Sequence, residues 1–578
     1  MRAWLGERRP MLALDIETTG LNVGRDVIRL VQLGDEHRAY VIGYEDWRGA
    51  VVEFARSYSG PIVLHNALFD LKFLKRDGIT LPQHLIHDTM IMAHLDDPVR
   101  AVGLKALGRR HLGGQWGAGE DALKIAFAAA GWDFATVPTE FLGYWQYSGL
   151  DTILTARIAA KLWPRVSAQY REPYEVELAF IHALRDAEIA GVAIDAEYCR
   201  SALSQLQLQL AGLGPQINEI SGQGVTLNPL SDGQVTRVLQ EQGAILTKRT
   251  EKGQLSTDDA VLTSLREHFP IAGLVLEYRK ASFLLTSHFS KMLDLATERD
   301  GTPFVHPSTK PVGARTGRTS VTDPPLQTIP RGRVVRDGYV ARPGHRLIIC
   351  DYDGMEMRFL AGDAPCPAML EAFGRGEDLH RWAAAQVYGV QQDAVTREMR
   401  GLAKNTGFAA VYGAGVDKLA ETAGVTLDKA EDFARRYGEL FPEVAQWQQR
   451  LMHEAQRSRD GREWPHVRTI LGRKLPVEPD KVYKVTNFRD QGSCAEIAKM
   501  AVNRLACAGL GSFFRLFVHD EVILEAPEDI ADDVLRATEE IMRDDTVFDG
   551  LTFTASGETA ERWGSKYKDE PNQMMKAP

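Results

Sequence analysis

Cysteine is scarce in this chain: five residues in 578, Cys199, Cys350, Cys366, Cys494 and Cys507, odd in number and nowhere spaced as Cys-x-x-Cys. That excludes a disulfide framework and a zinc-finger ligand set, and fits a reducing, intracellular setting. Also missing is any run of the roughly 18 consecutive apolar residues that a membrane helix needs, and the opening stretch MRAWLGERRPMLALDIETTG has no apolar signal core. The expectation is a cytoplasmic protein with no membrane partner. Internal repeats and low-complexity tracts are absent, and basic residues are outnumbered, 68 Lys and Arg against 78 Asp and Glu, for a net charge of −10. Such a balance excludes a blanket nucleic-acid coat but leaves room for local basic surface. What is abundant is apolar content: 44% hydrophobic residues beside 25% charged ones exclude disorder. At roughly one domain per 150 residues, the length implies about four units.

Short runs rich in β-formers, MLALD from Met11, DVIRLVQLG from Asp26, RAYVIG and PIVLHN, read as strands. From there to about Trp163 helical spacing dominates, so an early αβ domain is expected to end near residue 165. Residues 174–298 carry long helical stretches on either side of SGQGVTLNPLSDG and read as an extended helical arm. Between Lys310 and Arg346 stand eight Lys and Arg (Lys310, Arg315, Arg318, Arg331, Arg333, Arg336, Arg342, Arg346) against Asp323 and Asp337. This local basic surface, loop and short strand by its Gly and Pro content, suits the presentation of guanidinium groups to phosphates. Residues 378–460 return to helix, FFRLFVHDEVILE at 513–525 reads as a hairpin, and the last dozen residues read as a frayed end.

Asp15 and Glu17 lie two apart on a predicted strand, so their side chains leave the same face. Alone, such a pair is more often a solvent face than a metal site. Downstream, HNALFD places Asp70 just beyond a second apolar strand, and YSGLD sets Tyr147 and Asp151 one helical turn apart. Four carboxylates converging on hard cations is what metal-assisted phosphodiester hydrolysis requires, with a Tyr hydroxyl near to orient the water. In order, DIETTG, HNALFD, HDTM and YSGLD resemble the motifs of proofreading 3′–5′ exonucleases of the DEDD type with a tyrosine in the third motif. The resemblance implies an RNase H-like fold, metal ligation by Asp15, Glu17, Asp70 and Asp151, and water positioning by Tyr147. It also implies a contact from Asn66 to the terminal nucleotide, while His65 reads as a strand-end polar residue.

A second constellation lies further on. LIICDYDGMEMRFLAG sets Asp351 at the end of an apolar β-run, and LFVHDEVILE does the same with Asp520. Two strand-borne acids far apart in sequence form a metal pair when their strands are neighbours; alternation puts Asp520 on the face opposite His519 and Glu521. Between them RGLAKNTGFAAVYG carries Arg400, Lys404, Phe408 and Tyr412 at a strict spacing of four. At about 100° per residue these four share one helix stripe of roughly 120°. Aromatics at that spacing are ordinarily core, but two cations on the same stripe are not, whereas a nucleoside triphosphate needs cations for its phosphates and a flat apolar surface for its base.

The series TGRTS, CDYDGMEMR, RxxxKxxxFxxxYG and VHDE resembles the DNA polymerase I-like, family A, DNA polymerases. So do LNPLSDGQVTRVL, GQLSTDDAVL, LEYRKASFLL, TDPPLQTIP, GEDLHRWAAAQVYG and TASGETAERW, from about 174 to 565. What the resemblance implies is an α/β and α+β multidomain protein: an RNase H-like DEDD exonuclease domain at 1–165, then a right-hand polymerase domain at 166–578. Its thumb would cover about 196–305, its palm about 306–364 and 476–578, and its fingers about 365–475. Asp351 and Asp520 would hold two Mg2+ ions, with Mn2+ as a substitute. His380, Arg400 and Lys404 would contact the triphosphate, Lys404 also protonating the leaving group, while Phe408 and Tyr412 would pack on the incoming nucleotide. Glu356, helped by Tyr412, would close the space of a ribose 2′-hydroxyl. Arg318, Gln327, Asn487, Gln491 and His519 match positions that contact primer–template DNA, largely in the minor groove, where readout is nearly indifferent to sequence. Glu521 matches an acid of secondary role.

The expected partners are primer–template DNA and dNTPs, with a replicative helicase or primase left open and the chain a monomer. Because the exonuclease comes almost at the start, with no 5′ nuclease before it, the expectation is a phage-type replicative enzyme acting in a host cytoplasm, and one without an obligate processivity subunit. Pro325, and Tyr483 four residues before Asn487, depart from the family pattern and put individual duplex contacts in doubt. Gly407 and Ala409 beside Phe408 suggest a less rigid helix. Intact acids in both constellations oppose two competing readings, an exonuclease whose C-terminal part only binds DNA and a non-catalytic scaffold; Glu356 opposes an RNA polymerase.

Overall fold

The computed structural model describes residues 2–7, 9–222, 226–250, 252–412, 415–457, 464–567 and 572, so most of the terminal dozen expected to fray lies outside the described residues. The backbone forms two compact units, one of Met1–Ala190, Thr309–Ser320 and Ile348–Thr559, the other of Gly191–Ser308, Val321–Leu347 and Ala560–Pro578.

The first unit opens with a five-stranded sheet in the order β3-β2-β1-β4-β5, from β1 (Leu12–Thr18), β2 (Ile28–Gly34), β3 (Ala39–Gly43), β4 (Ile62–Leu64) and β5 (Ile86–Asp88). β1 pairs antiparallel with β2 and parallel with β4. As the central strand it is buried on both faces, and only Asp15 and Glu17 break the buried run. Around it lie α1 (Ala67–Arg76), α2 (Thr89–Asp96), α3 (Leu104–Leu112), α4 (Leu142–Gln169) and α5 (Arg171–Ala190). α4 runs through the expected limit at 165. α5, read from sequence as part of a helical arm, instead packs within this unit, where Phe180, Ile181 and Leu184 join the same core as the sheet.

Later segments of the unit add β6 (His345–Tyr352), α6 (Met355–Asp363), α7 (Leu379–Tyr388), α8 (Arg397–Tyr412), α9 (Leu427–Leu440), β7 (His466–Arg468), β8 (Lys474–Pro476), α10 (Val485–Cys507), β9 (Phe514–Val518), β10 (Glu521–Pro527) and β11 (Ala555–Ala560). Their main sheet has the order β9-β10-β6-β11, so the strand carrying Asp351 is the direct neighbour of the hairpin carrying Asp520. The expected hairpin at 513–525 is present, with Val518 paired to Glu521. Asp520 is therefore a turn residue rather than a strand residue: His519 takes a φ of +62° and the two residues close the loop. Strand alternation does not govern where their side chains point.

The second unit is built from the helices Ala196–Ser221, Asp232–Glu241, Asp259–Leu265 and Pro270–Phe283, which close on Leu213, Ile217, Val235, Leu239, Leu262 and Val275. A small sheet joins Tyr339–Val340, Val192–Ile194, Thr302–Val305 and Thr297–Arg299. Among the described residues no helix is long and apolar enough to cross a membrane.

Candidate active sites

The first site is assembled around the end of β1. Gln32, fully buried on the neighbouring strand and in register with Asp15, donates to Asp15 Oδ2 at 2.8 Å. Asp70, on the first turn of α1, accepts the backbone N–H of Ile16 at 3.0 Å, which ties α1 to the strand between the two acids. Ser148 of α4 donates to Glu17 Oε1 at 3.2 Å. One turn on, Asp151 is paired with the Lys105 ammonium of α3, which also lies 4.5 Å from the centre of the Tyr147 ring. The structure thus draws Asp15, Glu17, Asp70, Tyr147 and Asp151 together. Burial raises the Asp15 carboxyl to about 6 and, with repulsion from Asp15, the Glu17 carboxyl to about 8. Asp70 is pushed well above the usual carboxylate range for the same two reasons. Lys105 is drawn down to about 8 by burial, against the pull of the acids.

HDTM has a different task. Asp88 accepts the N–H groups of Asn66 and Ala67 at 3.3 and 2.7 Å, and those of Met90 and Ile91 at 2.7 and 3.3 Å, so one buried carboxylate caps the start of both α1 and α2. Asn66 is held there at a φ of +65°. His65 is a strand-end polar residue, its Nδ1 2.9 Å from Thr89 Oγ1.

The second site opens as a cleft of about 510 Å3 lined by Arg318, Glu356, Arg400, Lys404, Phe408 and Asp520, with His380 and His519 also on its wall. Burial and then repulsion from Asp351 raise Asp520 to about 7. Glu356, on the first turn of α6, is clamped from two sides: Arg318 Nη2 donates to Oε1 at 2.6 Å and the Tyr412 hydroxyl to Oε2 at 2.9 Å. On α8 the expected stripe is real. Phe408 and Tyr412 stack at 6.1 Å and 24°, and the Lys404 ammonium stands 5.8 Å from the Phe408 ring centre. Arg400 gives Nε and Nη2 to Asp378 Oδ2 at 2.9 and 2.7 Å. His380 faces Phe408 at 6.1 Å and is lowered to about 4 by burial, which keeps it neutral near pH 7.

Of the residues expected at DNA, Asn487 and Gln491 sit one turn apart on α10, His519 at the hairpin turn and Arg318 inside the cleft on Glu356. Gln327 belongs to the second unit, where its amide oxygen accepts the Val321 N–H at 2.5 Å. Much of the basic segment's charge is met within the protein, while Arg331 stays exposed. Arg315, Arg318, Arg333 and Arg346 pair with Glu478, Glu356, Asp337 and Glu561, and Arg336 is buried against the Trp563 and Tyr567 rings. Internal satisfaction takes charge that the sequence reading had left to phosphates.

Comparison with known proteins fits this geometry. Residues 196–565 match DNA polymerase family A and residues 5–167 match a 3′-5′ exonuclease family. The chain belongs to DNA polymerase family A. It is 30% identical to a DNA polymerase of Mycobacterium phage D29 over 98% of its own length and 95% of that protein's. It is also 30% identical to the thermostable DNA polymerase I of Thermus aquaticus over 81% of its own length, although it spans only about half (54%) of that relative. A solved structure, the POL domain of Pol1 from M. smegmatis in complex with DNA primer-template and dNTP, shares the fold with a TM-score of 0.79 at 23% identity, covering 97% of this chain and 98% of that one.

An exonuclease domain thus precedes a family A polymerase domain. Both acid sets fit hard divalent cations, since their donors are carboxylate oxygens whose mutual repulsion and burial raise their pKa values, a strain that a cation relieves. Among the described residues, no three His, Cys, Asp or Glu side chains form a ready-made metal cage. Sequence reading missed four participants: Gln32, Lys105, Ser148 and Asp378. Asp378 was within reach, since it stands two residues before His380 at the start of α7, where an Asp caps a helix and faces the next basic stripe.

Proposed function

We propose that this family A chain extends a primer 3′ end along a DNA template with deoxynucleoside triphosphates, and removes mispaired 3′ ends at its exonuclease site. The observation that carries the reading is the single cleft in which Asp520, the clamped Glu356 and the Arg400, Lys404 and Phe408 stripe face one another. Arg400 exchanges Asp378 for phosphate oxygens, Lys404 binds the phosphates and gives its proton to the departing pyrophosphate, and Phe408 covers the base. Neutral His380 donates a hydrogen bond to the triphosphate without adding charge. Glu356, fixed by Arg318 and Tyr412, fills the place of a 2′-hydroxyl, so deoxynucleotides are preferred. In the first site Tyr147 orients the attacking water, and the Lys105 ammonium offsets charge on Asp151.

Mg2+, two per site with Mn2+ as substitute, would supply Lewis-acid stabilisation of the charge that builds on phosphate oxygens. Asp351 and Asp520 would hold it in one site, and Asp15, Glu17, Asp70 and Asp151 in the other. Asn487, Gln491 and His519 would track the duplex. The phage relative supports a role in phage DNA replication; action in the host cytoplasm as a monomer, with a helicase or primase as partner, belongs to the same proposal.

Extension of a matched primer–template with dNTPs and magnesium tests this. Asp351→Asn should slow extension by on the order of 10³-fold, the scale on which loss of one transition-state-stabilising group acts, and leave trimming of single strands intact. Extension at the wild-type rate would refute the assignment.

A further inference from the structure

One buried cluster of charges is used by neither chemistry. Lys499 of α10 donates to both oxygens of Glu177 on α5, at 2.7 and 2.9 Å, and to the carbonyl oxygens of Pro311 and Gly317 at 2.8 and 2.7 Å. Arg473, in the turn before β8, pairs with the same Glu177 and with Glu496 at 3.2 Å, and its Nη1 lies 3.2 Å from His94 Nδ1. His94 belongs to α2, in the exonuclease domain, and its Nε2 lies 3.0 Å from the Ala314 carbonyl oxygen. All five side chains are at most 4% exposed.

The hydrogen bonds fix the state of the imidazole. A carbonyl oxygen only accepts, so Nε2 carries the hydrogen, and Nδ1 offers its lone pair to the Arg473 guanidinium. Two cations already balance two carboxylates, so an imidazolium would add an unpaired charge to a dry interior. Burial, with the nearby Arg473 charge, lowers His94 to about 3, in keeping with that neutral tautomer.

The three gripped carbonyls belong to one loop, 311–318. Within it Ala314 N donates to Arg318 O at 3.0 Å and Gly317 N to Ala314 O at 2.9 Å. Gly317 has a φ of +84°, and a Cβ there would meet the Arg473 guanidinium carbon at 3.0 Å, so the loop closes tightly against the network. The loop ends at Arg318, whose guanidinium clamps Glu356.

We propose that His94, a residue of the exonuclease domain, is a positioning residue for the polymerase site. With Lys499 it fixes the 311–318 loop, and through that loop the Arg318–Glu356 clamp that sets selection against ribonucleotides. The inference rests on the reading of Glu356 as the group that fills the 2′ position. Proofreading and synthesis then share a structural member, because the helix α2 that begins at the Asp88 cap of the exonuclease site ends near the imidazole that holds the synthetic site's arginine loop.

The test uses the full chain. His94→Phe keeps ring volume and removes both hydrogen bonds; His94→Gln retains one donor and one acceptor. Single-turnover insertion of a dNTP and its rNTP gives kcat/KM for each. His94→Phe should lower the deoxy-to-ribo ratio by about tenfold, the scale of one buried hydrogen bond, chiefly through KM, with trimming of single-stranded DNA unchanged. His94→Gln should restore the ratio. A folded His94→Phe variant with the wild-type ratio, while Glu356→Ala loses it, overturns the inference and leaves the gate standing. No change in Glu356→Ala overturns both. Should His94→Phe not fold, His94→Asn, too short to hold both partners, takes its place with the same outcomes.

Discussion

At the scale of single residues, the chain tolerates one carboxyl that neither site uses. Asp490 on α10 is fully buried and, among the described residues, neither of its oxygens has a hydrogen-bond partner. Burial, then repulsion from Glu356, raises its pKa well above the usual carboxylate range. A raised folded-state pKa means the folded chain keeps a proton that the unfolded chain has released. Its favourable contribution is full below about pH 4 and is lost as pH climbs toward the shifted value. Asp490→Asn should therefore raise the melting temperature, with a gain that grows from pH 5 to pH 8 and reaches on the order of 1–3 kcal/mol. Thermal scans at the two pH values decide, and a gain that shrinks with rising pH would contradict the reading. The acids on β1 were legible from sequence because a strand's period of two puts Asp15 and Glu17 on one face whatever surrounds them. Lys105 was not legible, since nothing in its own helix reveals that it meets Asp151.

At the scale of elements, the helix stripe on α8 was readable because a spacing of four is fixed by helix geometry alone. The hairpin was readable too, but its turn was not: no strand pattern announces that His519 adopts a positive φ and takes Asp520 out of the strand. Gly407, read from sequence as loosening α8, also has a packing reason. A Cβ there would lie 2.8 Å from the Tyr437 hydroxyl on α9 and 3.2 Å from Met357 Cε on α6, the helix that carries Glu356. Ala in place of Gly gains about 1 kcal/mol of helix propensity, whereas overpacking costs about 1–3 kcal/mol. The second effect should win. Gly407→Ala is expected to lower stability in urea by about 1 kcal/mol and to raise KM for dNTP; a variant more stable than wild type would show that the space is not needed.

At the scale of the whole molecule, two catalytic domains in series could be read from ordered motifs, because each motif is local. The helical body of the second unit could be read as the arm and thumb at about 196–305, but not that 321–347 and 560–578 join it. There Arg562 pairs with Asp195 across most of the sequence, and Tyr339 meets Trp563 edge-on at 5.4 Å. Similar long-range pairing marks the basic segment, where Arg315, Arg318, Arg333, Arg336 and Arg346 meet protein partners that local composition cannot show. Five buried side chains from α2, α5, α10 and the turn before β8 likewise meet only in three dimensions. The proposed function requires one chain to hold two independent acid sites, one lengthening a strand and one shortening it. Extension from a primer with a mismatched 3′ end, given dNTPs and magnesium, reads both at once. Wild type should replace the mismatch and continue. Asp15→Ala with Glu17→Ala should leave the mismatch in place, and Asp351→Asn should remove it without extending. A single one of these variants that loses both activities while remaining folded would contradict the claim.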